Sequence, residues 1–186
     1  MKKNIWTTII GSGSYIPEVV IDNDHFREYL FFDPVTRKPY EKENSEIIEK
    51  FREITNIEER RHCLPSEGTS TLGFEAARNA IESSGIDPES LDFIIAAHNF
   101  GDMRSDNYRS EMVPYIAARI KQQLGLKNPA MFAHDVIAGC PGWVQALIVA
   151  DMFIKSGSYK RGLVVGADVN SRVADPFDRD TMIFAD

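Results

Sequence analysis

Apolar residues along this chain fall into short unbroken runs separated by amphipathic stretches. LDFIIAA (91–97), AMFAHDV (130–136) and GLVVGAD (162–168) are runs of the kind found in parallel strands covered on both faces. IWTTIIGSGSYIP (5–17) predicts a β-branched core strand broken by Gly11 and Gly13 and closed by Pro17. TMIFAD (181–186) reads as the start of a fifth strand. Between the runs the period changes to that of helices. Asp22 or Asn23 caps a short one through Leu30, and Ile47, Ile48, Phe51 and Ile54 mark another over 45–54. Thr69 or Ser70 caps a third through Ser84, with the stripe Leu72, Ala76, Ala80 and with Gly85 placed to end it in the left-handed conformation. A fourth runs from about Pro114 to Leu124 and is closed by Gly125. FFDPVTRKPYEKEN (31–44) has prolines, charges and no period, which predicts a surface insertion.

Strand and helix alternate, and that rhythm predicts an α/β layer architecture: a mostly parallel five-stranded sheet, right-handed crossovers and helices on both faces. A length of 186 residues predicts one domain. An apolar strand that stops at Asp186 has neither neighbours nor a following turn to satisfy its backbone, so the expectation is a half-domain over 1–186 truncated before its second half.

The second apolar run leads into the most apolar helix of the chain, DVIAGCPGWVQALIVADMFIKSG (135–157). From Trp143 to Ile154 it has almost no polar face, which predicts a helix buried all round. Pro141 fits the first helical position, where its missing N–H costs nothing, and that places Cys140 at or next to the N-cap. Unpaired amides and the positive end of the helix dipole favour an anion there, so the thiol loses its proton more easily, and the thiolate is the nucleophile. Gly139 and Gly142 let a substrate approach the backbone. Acyl-transfer enzymes present a nucleophile in this way, with an amide N–H as half of an oxyanion site. Buried cysteines are also common packing residues, so the turn by itself leaves both readings open.

Composition changes the picture mostly by exclusion. A net charge of −7 argues against nucleic acid, which needs a basic footprint. Cys63 and Cys140 are far apart, with no CxxC pair or His/Cys cluster, so neither a metal site nor a disulfide framework is expected. The start MKKNIWTTII is too short and polar for a signal peptide, and no window approaches a membrane span, so the expected place is the cytoplasm.

Six ordered blocks carry a resemblance: GSGSYIPE (11–18), TNIEERR (55–61), STLGFEAA (70–77), DVIAGCPGW (135–143), IKSGSYKRGLVVGAD (154–168) and SRVADPFDRDTMIFAD (171–186). With these the chain resembles the N-terminal half of a β-ketoacyl-acyl carrier protein synthase III, a condensing enzyme of the thiolase superfamily. The resemblance implies the first half of a duplicated α/β/α/β/α fold. It implies an acyltransferase in which Cys140 accepts an acyl group from a coenzyme A thioester and condenses it with malonyl-acyl carrier protein. It implies no cofactor, with coenzyme A and acyl carrier protein thioesters as substrates, and a homodimer. Arg172 matches a residue of the family's nucleotide site, whereas Lys50 and Ile54 stand where the family has a Trp and an Arg. Pro141 replaces a small residue after the nucleophile. The His and Asn that act on the malonyl group lie in the family's second half. Two other readings stay open: a relative that joins longer acyl chains, and a non-catalytic dimerisation half-domain.

His98 and His134 stand at or near strand ends, as candidate bases for Cys140 or as satisfied structural residues. His25 and His62 read as surface residues, and Cys63 as a thiol without a role. Gly11 and Gly13 fall short of GxGxxG and read as a turn. Lys160 and Arg161 read as a solvated face, with contact to an acidic carrier protein or a phosphate as the alternative.

Overall fold

A computed structural model describes residues 5–106 and 109–186. In chain order the elements are β1 (Val19–Asp22), α1 (Asn44–Thr55), β2 (Glu59–His62), α2 (Thr69–Ser84), β3 (Phe93–His98), β4 (Asp102–Met103), β5 (Ser110–Glu111), α3 (Ile116–Gln123), β6 (Phe132–Ile137), α4 (Gly142–Lys155) and β7 (Gly162–Gly166), with short 3-10 turns between them. They divide into two compact units. One joins the described residues through Tyr15 to Pro65–Asp168, and the other joins Ile16–Leu64 to Val169–Asp186.

The first unit is built on a parallel sheet in the order β6-β3-β7. Phe93 pairs with Phe132 on one side and Gly162 on the other, and His98 pairs with Ile137. All six residues of β3 are buried, as its unbroken apolar run requires. Alternation sends Ile94 and Ala96 to the face covered by α2 and α3, where they meet Ala77, Ile116 and Ile120. Phe93, Ile95 and Ala97 go to the other face, against Ala146 and Ala150 of α4. Phe93, Phe132, Phe153 and Tyr159 form an aromatic cluster there, with centroids 5.2–5.9 Å apart. Gly162 is required beside it, because an added Cβ would lie 2.0 Å from the Phe93 ring.

Helix ends follow the chemistry of their residues. Gly85 closes α2 with φ +66 and donates its N–H to Ile81 and Glu82, and Gly125 follows α3 with φ +70. The cap of α2 is Gly68 rather than Thr69 or Ser70. The missing side-chain acceptor comes from Asp102, whose carboxylate takes the Ser70 N–H at 3.0 Å and its hydroxyl at 2.7 Å. α3 begins at Ile116, and Asp135 of β6 accepts the N–H groups of Ile116 (2.7 Å) and Ala117 (2.9 Å).

Three expectations need correction. Residues 5–17 form no ladder: Gly11 and Gly13 lie against α2, Gly13 so close that a Cβ would be 2.2 Å from the Ala80 nitrogen. A groove of about 960 Å3 separates residues 6–13 from β7, so no backbone partner is within reach. The 181–186 segment is no strand either. Thr181 donates its N–H and hydroxyl to the Asp178 carbonyl in a local 3-10 turn, and the segment meets β2 without a ladder, the Asp186 N–H donating to the Arg61 carbonyl at 3.0 Å. The parallel sheet therefore has three strands among the described residues, not five. Finally, α4 is covered on one side only: Trp143, Val144, Ile148 and Met152 are 47–64% exposed.

The second unit pairs β1 and β2 antiparallel, Val19 opposite His62 and Asp22 opposite Glu59. Its core is Phe26, Phe31, Ile47, Ile48 and Met182. Arg60 is buried within it, donating to Asn23 Oδ1 (2.8 Å) and to the Ile21 carbonyl (3.2 Å) and lying 5.0 Å over the Phe26 ring. The insertion at 31–44 is anchored rather than free, since Phe32 donates its N–H to the Phe177 carbonyl and the two rings meet edge to face.

β7 is started by Asp92. Its carboxylate accepts the N–H groups of Lys160 (2.6 Å) and Arg161 (2.9 Å). The Lys160 amide first, then that of Arg161, holds its carboxyl below the ordinary range. Folding thus favours the charged form, so the contribution is complete above the unfolded aspartate value and is lost as pH falls through the lowered folded one. Asp92→Ala is expected to cost about 2 kcal/mol at pH 7, read by urea unfolding. The gap between variant and parent should close on acidification below the aspartate range, and a gap independent of pH would contradict the assignment.

Candidate active site at the carboxyl edge of the sheet

Three parallel strands with a shared register end at one edge, and the polar residues that follow each of them meet there. Ligands of open α/β sheets bind outside this carboxyl edge. β6 continues into Ala138, Gly139 and Cys140. β3 continues into Asn99, and β7 into Ala167 and Asp168.

The cysteine turn is tight. Gly139 has φ +67, a conformation in which a side chain would be strained. The Gly142 N–H donates to the Gly139 carbonyl at 2.8 Å, which closes the turn around Cys140 and Pro141. Gly142 is seated on the sheet, with room for a Cβ only 3.6 Å from that of Ala97. Trp143 stacks its side chain over Gly166, where a Cβ would approach the indole Cδ1 at 3.0 Å. Pro141 takes the cap of α4 and Gly142 its first position, so Cys140 sits one residue before the cap, next to it rather than on it. Cys140 is exposed, Cys63 only partly so.

The two candidate bases fare differently. His98 is 0% exposed in its side chain, and Asp135 is 4%. The Gly101 N–H donates to His98 Nδ1 at 3.0 Å, so the ring proton is on Nε2, which donates to Asp135 Oδ2 at 3.0 Å. Both nitrogens are committed, and His98 is a structural residue linking β3, β6 and α3. His134 lies within β6, three residues or ~10 Å of strand before its end, with its ring edge-on to Tyr115 at 6.4 Å. Neither is brought to the thiol.

One further pair at this edge was not legible in the sequence. The Asn99 N–H donates to Asp168 Oδ1 at 2.7 Å, and its side-chain amide donates to Oδ2 at 2.9 Å. The available signal was a polar residue at the end of each apolar run. Arg172 lies in a 3-10 turn of the second unit and donates to the Leu64 carbonyl at 2.8 Å. Lys160 and Arg161 are exposed and their amides hold Asp92. Among the described residues no group of three His, Cys, Asp or Glu could hold a metal ion, and no helix is long and apolar enough to cross a membrane.

Known proteins place this edge in a family. The model of 3-oxoacyl-[acyl-carrier-protein] synthase III matches residues 134–186, which include the cysteine turn. The β-ketoacyl-[acyl-carrier-protein] synthase III of Escherichia coli K12 is 37% identical over 179 residues, 96% of this chain and 49% of that protein. This chain belongs with the amino-terminal half of the β-ketoacyl-acyl carrier protein synthases III. It spans about half the length of the synthases it matches. The crystal structure of the Aquifex aeolicus synthase III aligns over 97% of the chain and 51% of its own, with TM-score 0.76 and 30% identity. The priming β-ketosynthase of the R1128 polyketide pathway aligns over 100% of the chain and 49% of its own, with TM-score 0.78; at 24% identity it speaks for the thiolase-like fold alone.

In the folded chain, Cys140 is expected to react with iodoacetamide at least about tenfold faster than Cys63, because solvent reaches it fully and reaches Cys63 only in part. Mass mapping of time points decides it. Equal rates would remove the basis for treating Cys140 as a nucleophile.

Proposed function

We propose that this chain is the acyl-accepting half of a β-ketoacyl-acyl carrier protein synthase III-type acyltransferase in the initiation of fatty-acid biosynthesis. The observation that carries the proposal is the exposed Cys140 on the Gly139–Gly142 turn at the start of α4. The Cys140 thiolate attacks the carbonyl carbon of an acyl thioester, such as acyl-coenzyme A. The carbon–sulfur bond to the carrier breaks, the carrier thiol leaves with a proton, and the acyl group stays on Cys140. The Cys140 amide and the start of α4 are the nearby groups that can offset charge on the carbonyl oxygen. In the second half-reaction a malonyl group on acyl carrier protein loses carbon dioxide. Its carbanion attacks the acyl-cysteine, giving a 3-oxoacyl thioester and the free thiol. The family's His and Asn for that step belong to the part this chain does not span, so the chain alone accepts an acyl group and does not condense it.

A second reading, a condensing enzyme for longer acyl chains, is favoured by the donor side. Lys50 pairs with Glu53 at 3.0 Å on the outside of α1, and Ile54 is exposed. Neither supplies the aromatic plane or guanidinium that the family sets against the coenzyme A nucleotide. Arg172 is the one proposed nucleotide contact retained. The decisive experiment incubates the chain with acetyl and longer acyl groups on coenzyme A or on acyl carrier protein, and reads adducts by mass spectrometry. An adduct on Cys140, absent in Cys140→Ala, is expected without decarboxylation of malonyl thioester. No adduct from any donor overturns the proposal, and preference for long chains selects the second reading.

The same half-chain is proposed to self-associate. Val144, Ile148 and Met152 make an apolar stripe on α4, and β6 is an open edge of the sheet. Light scattering is expected to give a dimer or larger species, reduced towards the monomer by Ile148→Glu. A monomeric parent would count against this surface.

A further inference from the structure

β7 is paired on one side only. β3 takes one of its edges, and the other faces the groove of about 960 Å3 whose far wall is residues 6–13. The two remaining walls of the groove are the helices that cover the sheet. Ala76, Ala77 and Ala80 of α2 line it on the face to which Leu163 and Val165 belong, and Leu147, Ala150 and Ile154 of α4 line it on the face of Val164. Both covering layers therefore extend past the last strand, over a place in the sheet that no strand among the described residues fills. The far wall follows the course of β7. Ile5 Cδ1 lies 3.5 Å from where a Cβ on Gly157 would be, shortly before β7 begins, and the Tyr15 hydroxyl donates to Glu67 at 2.7 Å, near the carboxyl edge where Ser70 meets Asp102.

The size and chemistry of the gap decide what fits. A strand matching the five residues of β7 is ~17 Å long, stands ~4.8 Å from its neighbour and fills a layer ~10 Å thick, which comes to about 800 Å3. The groove holds one such strand and not two. A helix is about 10–12 Å across with its side chains and would have to force α2 away from α4. An acyl chain would match the apolar walls, but it would shut the outer N–H and C=O groups of β7 away from water without partners. An extended peptide offers both donor and acceptor, and its alternating side chains meet both helices. The E. coli K12 synthase carries about as much polypeptide again, since the matched part is 49% of it. We infer that the groove is an acceptor slot for one apolar β-strand, supplied by the half of the synthase that this chain does not span, and that it takes up that strand even from a separate molecule. Binding there is independent of the chemistry at Cys140: a missing acyl adduct leaves it standing, and the reverse holds.

The test mixes the chain with short overlapping peptides that tile the unmatched half of the E. coli K12 synthase. Hydrogen exchange by mass spectrometry reads both walls, and Trp6 and Trp143, which line the groove, give a fluorescence signal. One window of sequence is expected to bind, to shift the tryptophan emission and to slow exchange in 163–165 and in 7–11 together by at least about tenfold. The same peptide N-methylated at alternate amides should lose this protection, because it cannot donate along one edge. Leu147→Glu places a charge in the slot and should also abolish it, with unchanged exchange in β3 showing an intact fold. Where that variant does not fold, the N-methylated peptide decides. Protection of neither wall by any peptide overturns the inference, as does equal protection by the N-methylated form. Protection by dodecanoate but by no peptide would assign the groove to an apolar small molecule, and protection that rises with the concentration of the chain alone would assign it to a second copy. Either result overturns the inference.

Discussion

A strand with six consecutive buried residues can exist only between two neighbours and beneath cover on both faces, and β3 imposes that condition on the first unit. Parallel pairing then brings the strand ends of β3, β6 and β7 to one edge, 69 residues of chain apart in the case of Asn99 and Asp168. Asp135 adds a second constraint. One buried carboxylate holds a histidine of β3 and the first two amides of α3, so sheet and helix are registered by the same group. Leaving any of these donors unmade inside the core costs more than the bond itself contributes. The cysteine turn is thereby mounted on a frame whose parts cannot slide independently.

Local rules were legible wherever they were complete in a few residues. The left-handed glycines after α2 and α3, the three apolar parallel strands and the turn that exposes Cys140 all follow from short stretches of sequence. What required a distant partner was not legible. The 5–17 segment has strand-like residues, but pairing needs an edge within reach, and a groove lies in its place. The apolar α4 was expected to be covered all round, yet a hydrophobic face states what it avoids, not what meets it. The cap of α2 was misplaced for the same reason: its acceptor, Asp102, comes from β4, as the acceptor of α3, Asp135, comes from β6.

The site shows the same division. The position of Cys140 on a turn before α4 could be read locally, whereas the surroundings of His98 and His134 depended on where their rings point. A histidine at a strand end has two nitrogens to satisfy, and in His98 Gly101 and Asp135 take both. Asn99 and Asp168 looked like ordinary polar ends of apolar runs until the sheet placed them side by side. In the second unit Arg60 makes a similar point. Burial lowers its pKa, with Asp22 opposing, and it is held by Asn23 and two aromatic faces, so a residue that reads as surface charge is part of a core.

The meeting of Gly162 and Phe93 bears on how such a chain can change through descent. No side chain at 162 fits while the ring is in place, and a smaller residue at 93 would leave a void among Phe132, Phe153 and Tyr159. Position 162 cannot enlarge while the ring at 93 is in place, whereas position 93 can shrink first at the cost of a void. The pair is therefore a lock on the evolutionary path: a lineage that acquires a bulkier residue on β7 has already trimmed β3, and the order of those two steps is fixed by which intermediate still folds.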